Sequence, residues 1–133
     1  MPIALEIVSP EKLLLSRAVD MVVIPAAEGD MGVLGGHSSM IVTLRGGVIA
    51  LYDGDQVTDR LFVAGGFAEV TPERCTVLAN EAIPVGELSR AVAEQRLADA
   101  TAAFDGVDKM DPIAIDTAMD RIQSARAMVE AAG

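Results

Sequence analysis

Two hydrophobic periods divide the chain. Up to about residue 84, apolar positions recur in short alternating or β-branched runs separated by turn residues; beyond it they recur at helical spacing. In "IALEIVS" (3–9), Ile3, Leu5 and Ile7 fall on one face and Ala4, Glu6 and Val8 on the other, the period-two signature of a half-buried strand. "AVDMVVIPA" (18–26) and "GVIALYD" (47–53) are β-branched apolar runs. "YDGDQ" sets an Asp-Gly hairpin signal between "GVIALY" and "VTDRLFVAGG". "FAEVTPERCTVLA" (67–79) repeats the device, with "TPER" as its turn. The Gly46-Gly47 and Gly65-Gly66 pairs suit corners or bulges, where the missing Cβ permits positive φ.

After the breaker "IPVGE" (83–87) the grammar changes to alanine-rich, helix-favouring sequence. "ELSRAVAEQRLADATAAF" predicts a helix with Leu88, Ala91, Gln95 and Ala98 along one stripe and Ala93, Leu97, Ala100 and Phe104 along another. "DGVDKMDP" is a turn in which Gly106 caps the first helix, Asp111 is the N-cap of the next and Pro112 its first residue. The second helix, "IAIDTAMDRIQSARAMVEAA", aligns Ile115, Ala118, Met119, Ile122, Ala125 and Val129 on one face. So short a connection makes the helices antiparallel neighbours. The expected fold is α+β: an N-terminal antiparallel β-sandwich or barrel over residues 1–84, then an antiparallel two-helix hairpin over residues 85–133.

Composition narrows the chemistry. Apolar residues are 51% of the chain but aromatics only 3%, so the core is aliphatic. Ten basic against 20 acidic residues leave a net charge of −10. That excludes nucleic acid as an expected partner, since phosphate binding needs clustered Lys and Arg. One cysteine and one histidine cannot build a zinc site, and Cys75, in a strand-like alternation, reads as a small buried hydrophobe. "MPIALEIVSP" lacks a basic leader and carries Glu6 early, and "MVVIPAA" falls far short of the roughly 18–20 apolar residues of a bilayer span. The expectation is a soluble, cytoplasmic chain.

One stretch asks for a function: "VVIPAAEGDMGVLGGHSSMIVTLRGG" (22–47), a glycine-studded loop between apolar runs that holds the only histidine. It has no G-x-G-x-x-G and no Gly-Lys-Ser/Thr, and Glu28 and Asp30 would repel a phosphate. His37 beside Ser38 and Ser39 lacks an orienting acid, and no G-x-S-x-G elbow occurs, so no catalytic residue is expected. A local hydrogen bond that shapes the turn is the simplest role for His37. Acids beside the apolar Met31, Val33 and Leu34 suit contact with a protein that carries basic groups.

At this loop the sequence resembles the epsilon subunit of F-type ATP synthases. "EGDMGVLGGHSSM" is similar to that family's acidic-Gly-x-x-Gly stretch with its following Gly-His. "FVAGGFAEVTPERCTVLANEAI" is similar to its Gly-Gly pair and strand–turn–strand ending in Ala-x-x-Ala-Ile. The resemblance implies a non-catalytic rotor subunit at the cytoplasmic face of the plasma membrane, peripheral to it through the complex. Its sandwich clamps the gamma subunit and rests on the c-ring, so that proton-driven rotation reaches the catalytic alpha/beta head. By position, Glu28, Gly29, Asp30, Met31, Gly32 and His37 fall on the expected docking surface. Gly35 stands where many relatives have proline.

In that family the hairpin either folds onto the sandwich or extends into the head and blocks ATP hydrolysis, and some members bind ATP through an Ile/Leu-Asp-x-x-Arg-Ala motif. The matching stretch here is "GELSRA", which keeps Arg90 and Ala91 but has Gly86 and Glu87 for the first two positions. The resemblance therefore implies no cofactor, with Glu87, Arg90 and Ala91 the sole candidates for weak ATP binding. From Glu87 onward five basic residues face nine acidic ones, a net of −4, which gives the hairpin little attraction for an acidic target. The expected role is a folded element that steadies the stalk; a free-standing nucleotide-sensing module is the alternative.

Overall fold

A computed structural model describes residues 2–133; Met1, the first residue of the expected sandwich, lies outside them. The strands are β1 (Ile3–Val8), β2 (Leu13–Val19), β3 (Met21–Ala26), β4 (Gly29–Leu34) and β5 (Met40–Leu44). They continue as β6 (Gly47–Asp53), β7 (Gln56–Val63), β8 (Gly66–Val70), β9 (Arg74–Ala79) and β10 (Ala82–Pro84). A 3-10 turn, Val85–Glu87, leads into α1 (Arg90–Asp105) and α2 (Pro112–Ala132).

Pairing runs β10-β7-β6-β3-β5-β8-β9-β1-β2, with β4 attached to β3, so one sheet rolls into a nearly closed sandwich. All pairs are antiparallel except β1 with β9, which align in parallel from Ala4↔Arg74 to Val8↔Leu78. The last gap, between β2 and β7, is spanned by side chains: Arg17 donates to Thr58 Oγ1 at 3.1 Å and pairs with Asp59. Alternation places the core as expected, with Ile3, Leu5 and Ile7 fully buried against Val22, Ile24 and Leu51. Cys75 joins them, and burial pushes its thiol up to about 11, far from reactive thiolate.

Within the sandwich the structure departs from the sequence reading in three places. "AVDMVVIPA" is two strands, because the chain passes between layers at Asp20, whose N–H donates to Tyr52 O at 3.0 Å while its carboxylate accepts from Gly54 N at 2.6 Å. The glycine-studded loop is largely β4, the second arm of a hairpin with β3, since Met31 and Val33 alternate inward despite the glycines around them. Of the glycine pairs, only Gly65 and Gly66 have positive φ (+126° and +138°).

Gly46 answers a different need. Helix α2 lies so close over the β5–β6 corner that a Cβ there would stand 2.5 Å from Ser124 Cα. Into this notch Gln123 sends its amide: Gly46 N–H donates to Gln123 Oε1 at 3.0 Å, and Gln123 Nε2 donates to Gly46 O at 2.6 Å. Ser124 Oγ donates to Ala64 O at 3.4 Å. Beneath the helices Phe62, Ala93 and Met128 form a second apolar cluster. Burying a phenylalanine this fully contributes about 1.5–3 kcal/mol.

The second helix begins as expected, whereas the first starts at Arg90 and not at Glu87, which belongs to the preceding 3-10 turn. Ser89 caps α1 by accepting from Val92 N at 3.3 Å, and Asp111 caps α2 by accepting from Ile113 N at 3.1 Å, with Pro112 first. The Ala93–Ala100 stripe of α1 is buried, but Ala91, Gln95 and Ala98 are exposed. In α2 Met128 is buried and Met119 exposed, because Ala118, Ala125 and Met128 form the arc that α2 buries against its two neighbours, α1 and the sandwich. Arg96 ties α1 to the sandwich through two bonds to Glu81, at 2.5 and 2.8 Å.

Two outcomes follow from this docking. Gly46→Ala should overpack the notch and cost about 1–3 kcal/mol, read as a lower urea midpoint and faster tryptic cleavage at Arg121 and Arg126; an unchanged midpoint would refute the close approach. The hydrogen bond from Arg96 holds the Glu81 carboxyl below its ordinary 4.5, with Coulombic attraction adding and burial opposing. The ionised pair therefore steadies α1 above about pH 4.5 and lets go as the pH falls through the lowered folded value. Limited proteolysis across pH 7 to 3 should show that loosening in the native chain and a flattened step in Glu81→Gln.

Candidate functional site

Antiparallel pairing puts Ala27 and Glu28 at the tip of the β3–β4 hairpin, with Ala26 opposite Gly29 and Pro25 opposite Asp30. On one side of the tip is a groove of about 480 Å³, lined by Glu28, Gly29, Asp30 and Met31 from the hairpin and by Met40 to Thr43 from β5. Ala27 N–H donates to Thr43 O at 2.8 Å, closing the groove's floor.

The two acids differ in state. Asp30 Oδ1 accepts from Arg45 Nη2 at 2.7 Å, and the other end of the guanidinium donates to Ala26 O at 2.8 Å. Its charge is spent within the chain. Among the described residues Glu28 has no ion-pair partner and stays exposed, so it is the carboxylate that an incoming basic group would meet.

His37 does not join this tip. Four residues of extended strand, about 13 Å at ~3.3 Å per residue, separate Asp30 from Leu34, and His37 lies beyond Leu34. Its N–H donates to Leu34 O at 3.2 Å, and its Nδ1 stands 2.8 Å from Ser38 O. The four-residue turn from Leu34 to His37 has Gly36 at φ +86°, the third position of a type II turn. Gly36 N–H donates to Pro72 O at 2.7 Å, which moors the turn to the β8–β9 connection.

The nucleotide candidates are not assembled. Glu87, Arg90 and Ala91 are exposed; Arg90 Nε donates to Glu94 Oε1 at 2.9 Å, one helical turn on. The cavity between hairpin and sandwich, about 510 Å³, is lined instead by Arg96, Asp99, Asp120 and Arg121 with Phe62 and Met128 below.

One feature escaped the sequence reading. On the outer face of the sheet Phe67 pairs with Leu78, Leu78 pairs with Val8, and Ile41 lies diagonal to Phe67. Ile41 is 73% exposed, Phe67 54% and Leu78 52%, an apolar stripe across three strands that no other described residue covers. Adjacent apolar pairs, Ile41-Val42 and Val77-Leu78, were its available signal: a strand with only one buried face has no need of both.

The chain is a rolled β-sandwich carrying a docked two-helix hairpin, with an acidic hairpin tip and an exposed apolar stripe; among the described residues no helix is long and apolar enough to cross a bilayer. The family model described as "ATP synthase, Delta/Epsilon chain, beta-sandwich domain" matches residues 2–85. The chain belongs to the epsilon-chain family of ATP synthases. It is 70% identical over 129 residues to the ATP synthase epsilon chain of Granulibacter bethesdensis, covering 97% of this chain and 96% of that one. To the epsilon chain of Gluconacetobacter diazotrophicus it is 52% identical over 133 residues, covering 100% and 94%. A chain of the Euglena gracilis mitochondrial ATP synthase, solved as OSCP, F1 and c-ring, shares the fold at a TM-score of 0.77 and 24% identity, covering 99% and 82%. One from the central stalk and c-ring of the Tetrahymena thermophila enzyme does so at 0.67 and 11%, covering 100% and 98%.

The type II geometry yields a prediction. Position two of such a turn favours proline, Gly35 has no positive φ, and Leu34 before it is extended. Gly35→Pro should stabilise the chain by about 0.4–1 kcal/mol, seen as a rise in Tm, whereas Gly36→Ala should lower it.

Proposed function

We propose that this chain is a rotor subunit of the central stalk, transmitting torque without bond chemistry of its own. The apolar stripe of Ile41, Phe67 and Leu78 clasps the foot of the gamma subunit. The β3–β4 tip, from Glu28 to Gly32, rests on polar loops of the c-ring, with Glu28 as the free acid and Asp30 as internal brace. Proton flow turns the ring, and gamma and this chain turn with it, so that rotation reaches the alpha/beta head. The whole sits peripherally at the cytoplasmic face of the membrane.

The observation that carries this reading is Ile41, which belongs both to the stripe and to the wall of the tip's groove. One continuous surface thereby addresses two neighbours at once, as a coupling element must. The sandwich (1–84) is the docking unit. The hairpin (85–133) is a strut that stays folded, and its touch on the head is transient. The exposure of Glu87 and Ala91 and the pairing of Arg90 with Glu94 support a chain that works without bound nucleotide.

The test is recovery of gamma by the tagged chain. Ile41→Asp and Phe67→Asp should each weaken it at least about tenfold, the scale of an interface hot spot. Val92→Asp, on an exposed position of α1, should leave it unchanged. Equal recovery by all three variants would overturn the assignment of the stripe.

A further inference from the structure

Arg45 and Gly46 are neighbours in the chain, yet each is held by a different working part. Arg45 spans the docking tip: its guanidinium donates to Ala26 O at 2.8 Å, before the turn, and to Asp30 Oδ1 at 2.7 Å, after it. Its own N–H donates to Pro25 O at 2.9 Å. The next residue, Gly46, is buried and gripped through both backbone polar groups by Gln123 of α2. On the far side of the corner a Cβ on Gly47 would lie 2.7 Å from Pro25 Cβ. The two glycines of the corner are thus wedged between β3 and α2 without a side chain to take up slack, and close-packed groups of this kind transmit displacement.

We infer that Arg45 is the positioning residue of the tip, and that the Arg45–Gly46 corner links tip geometry and hairpin docking in one equilibrium. Releasing α2 frees both polar groups of Gly46, relaxes Arg45 and loosens the turn between Ala26 and Asp30. By reciprocity, whatever grips the tip in its braced form favours the docked hairpin by the same factor. A partner at the tip would then select the folded hairpin without touching it. That the gripping partner is the rotor ring rests on the function proposed above; the coupling within the chain does not.

Amide hydrogen exchange on the isolated full chain tests the coupling. The tip reporter is Ala27 N–H, bonded to Thr43 O, and the hairpin reporter is Ala125 N–H within α2. Gln123→Ala should speed exchange at Ala27 at least about fivefold, the low end of measured couplings. Arg45→Met should speed it at Ala125, and the double variant should fall short of the product of the two single effects. Arg96→Gln loosens the hairpin at Glu81, away from the corner, and should loosen Ala27 in proportion. Faster exchange at Ala125 with Ala27 unchanged, in either Gln123→Ala or Arg96→Gln, would overturn the inference. Should Gln123→Ala fail to fold by circular dichroism, Gln123→Glu replaces it, keeping the acceptor for Gly46 N–H and losing the donor. A separate arm measures binding of Glu28→Lys to isolated c-ring. Loss of binding there supports the rotor-facing tip, whereas unchanged binding sinks that reading and leaves the coupling to be judged by exchange alone.

Discussion

Gln123 satisfies both the N–H and the carbonyl of Gly46 with one side-chain amide, and it reaches them only because Gly46 has no Cβ. Much of the molecule's organisation depends on that approach. It brings α2 down far enough for Met128 and Ala93 to cover Phe62, a residue that would otherwise leave a large apolar side chain in water on the outside of β7. Two alanine-rich helices bury little area against each other, so without this seat the hairpin would be marginal. With it, the same corner can also hold Arg45 where it braces the acidic tip.

Alternation and turn chemistry made the sandwich readable in advance. Ile3, Leu5 and Ile7 point inward as their spacing requires, and Thr71 to Arg74 form the turn that "TPER" announces. Capping was equally plain at Asp111 and Pro112, since the physics of a helix N-terminus is local. What stayed hidden was non-local. Gly46 reads in sequence as a flexible corner, and only the position of Ser124, far along the chain, reveals that it is a steric vacancy. β4 was masked by its glycines, although Val33 is fully buried.

The candidate surface was half legible for the same reason. Glu28 to Gly32 were picked out by composition and motif, but their electrostatics depend on Arg45, which the sequence sets 15 residues from Asp30. His37 was grouped with them through the family's Gly-His step, and in the structure it stands at the far end of β4 from the tip. The stripe of Ile41, Phe67 and Leu78 belongs to three strands and becomes a surface only when register places them side by side.

Cys75 has a practical consequence. Its thiol is sealed in the core and pushed up to about 11, so maleimide reagents find no target in the folded chain. A cysteine introduced at an exposed site, such as the hairpin tip or the outer turn of α1, would therefore be the sole position to accept a dye. A dye placed there would report on the hairpin or the tip of the folded chain while the native thiol is left in place.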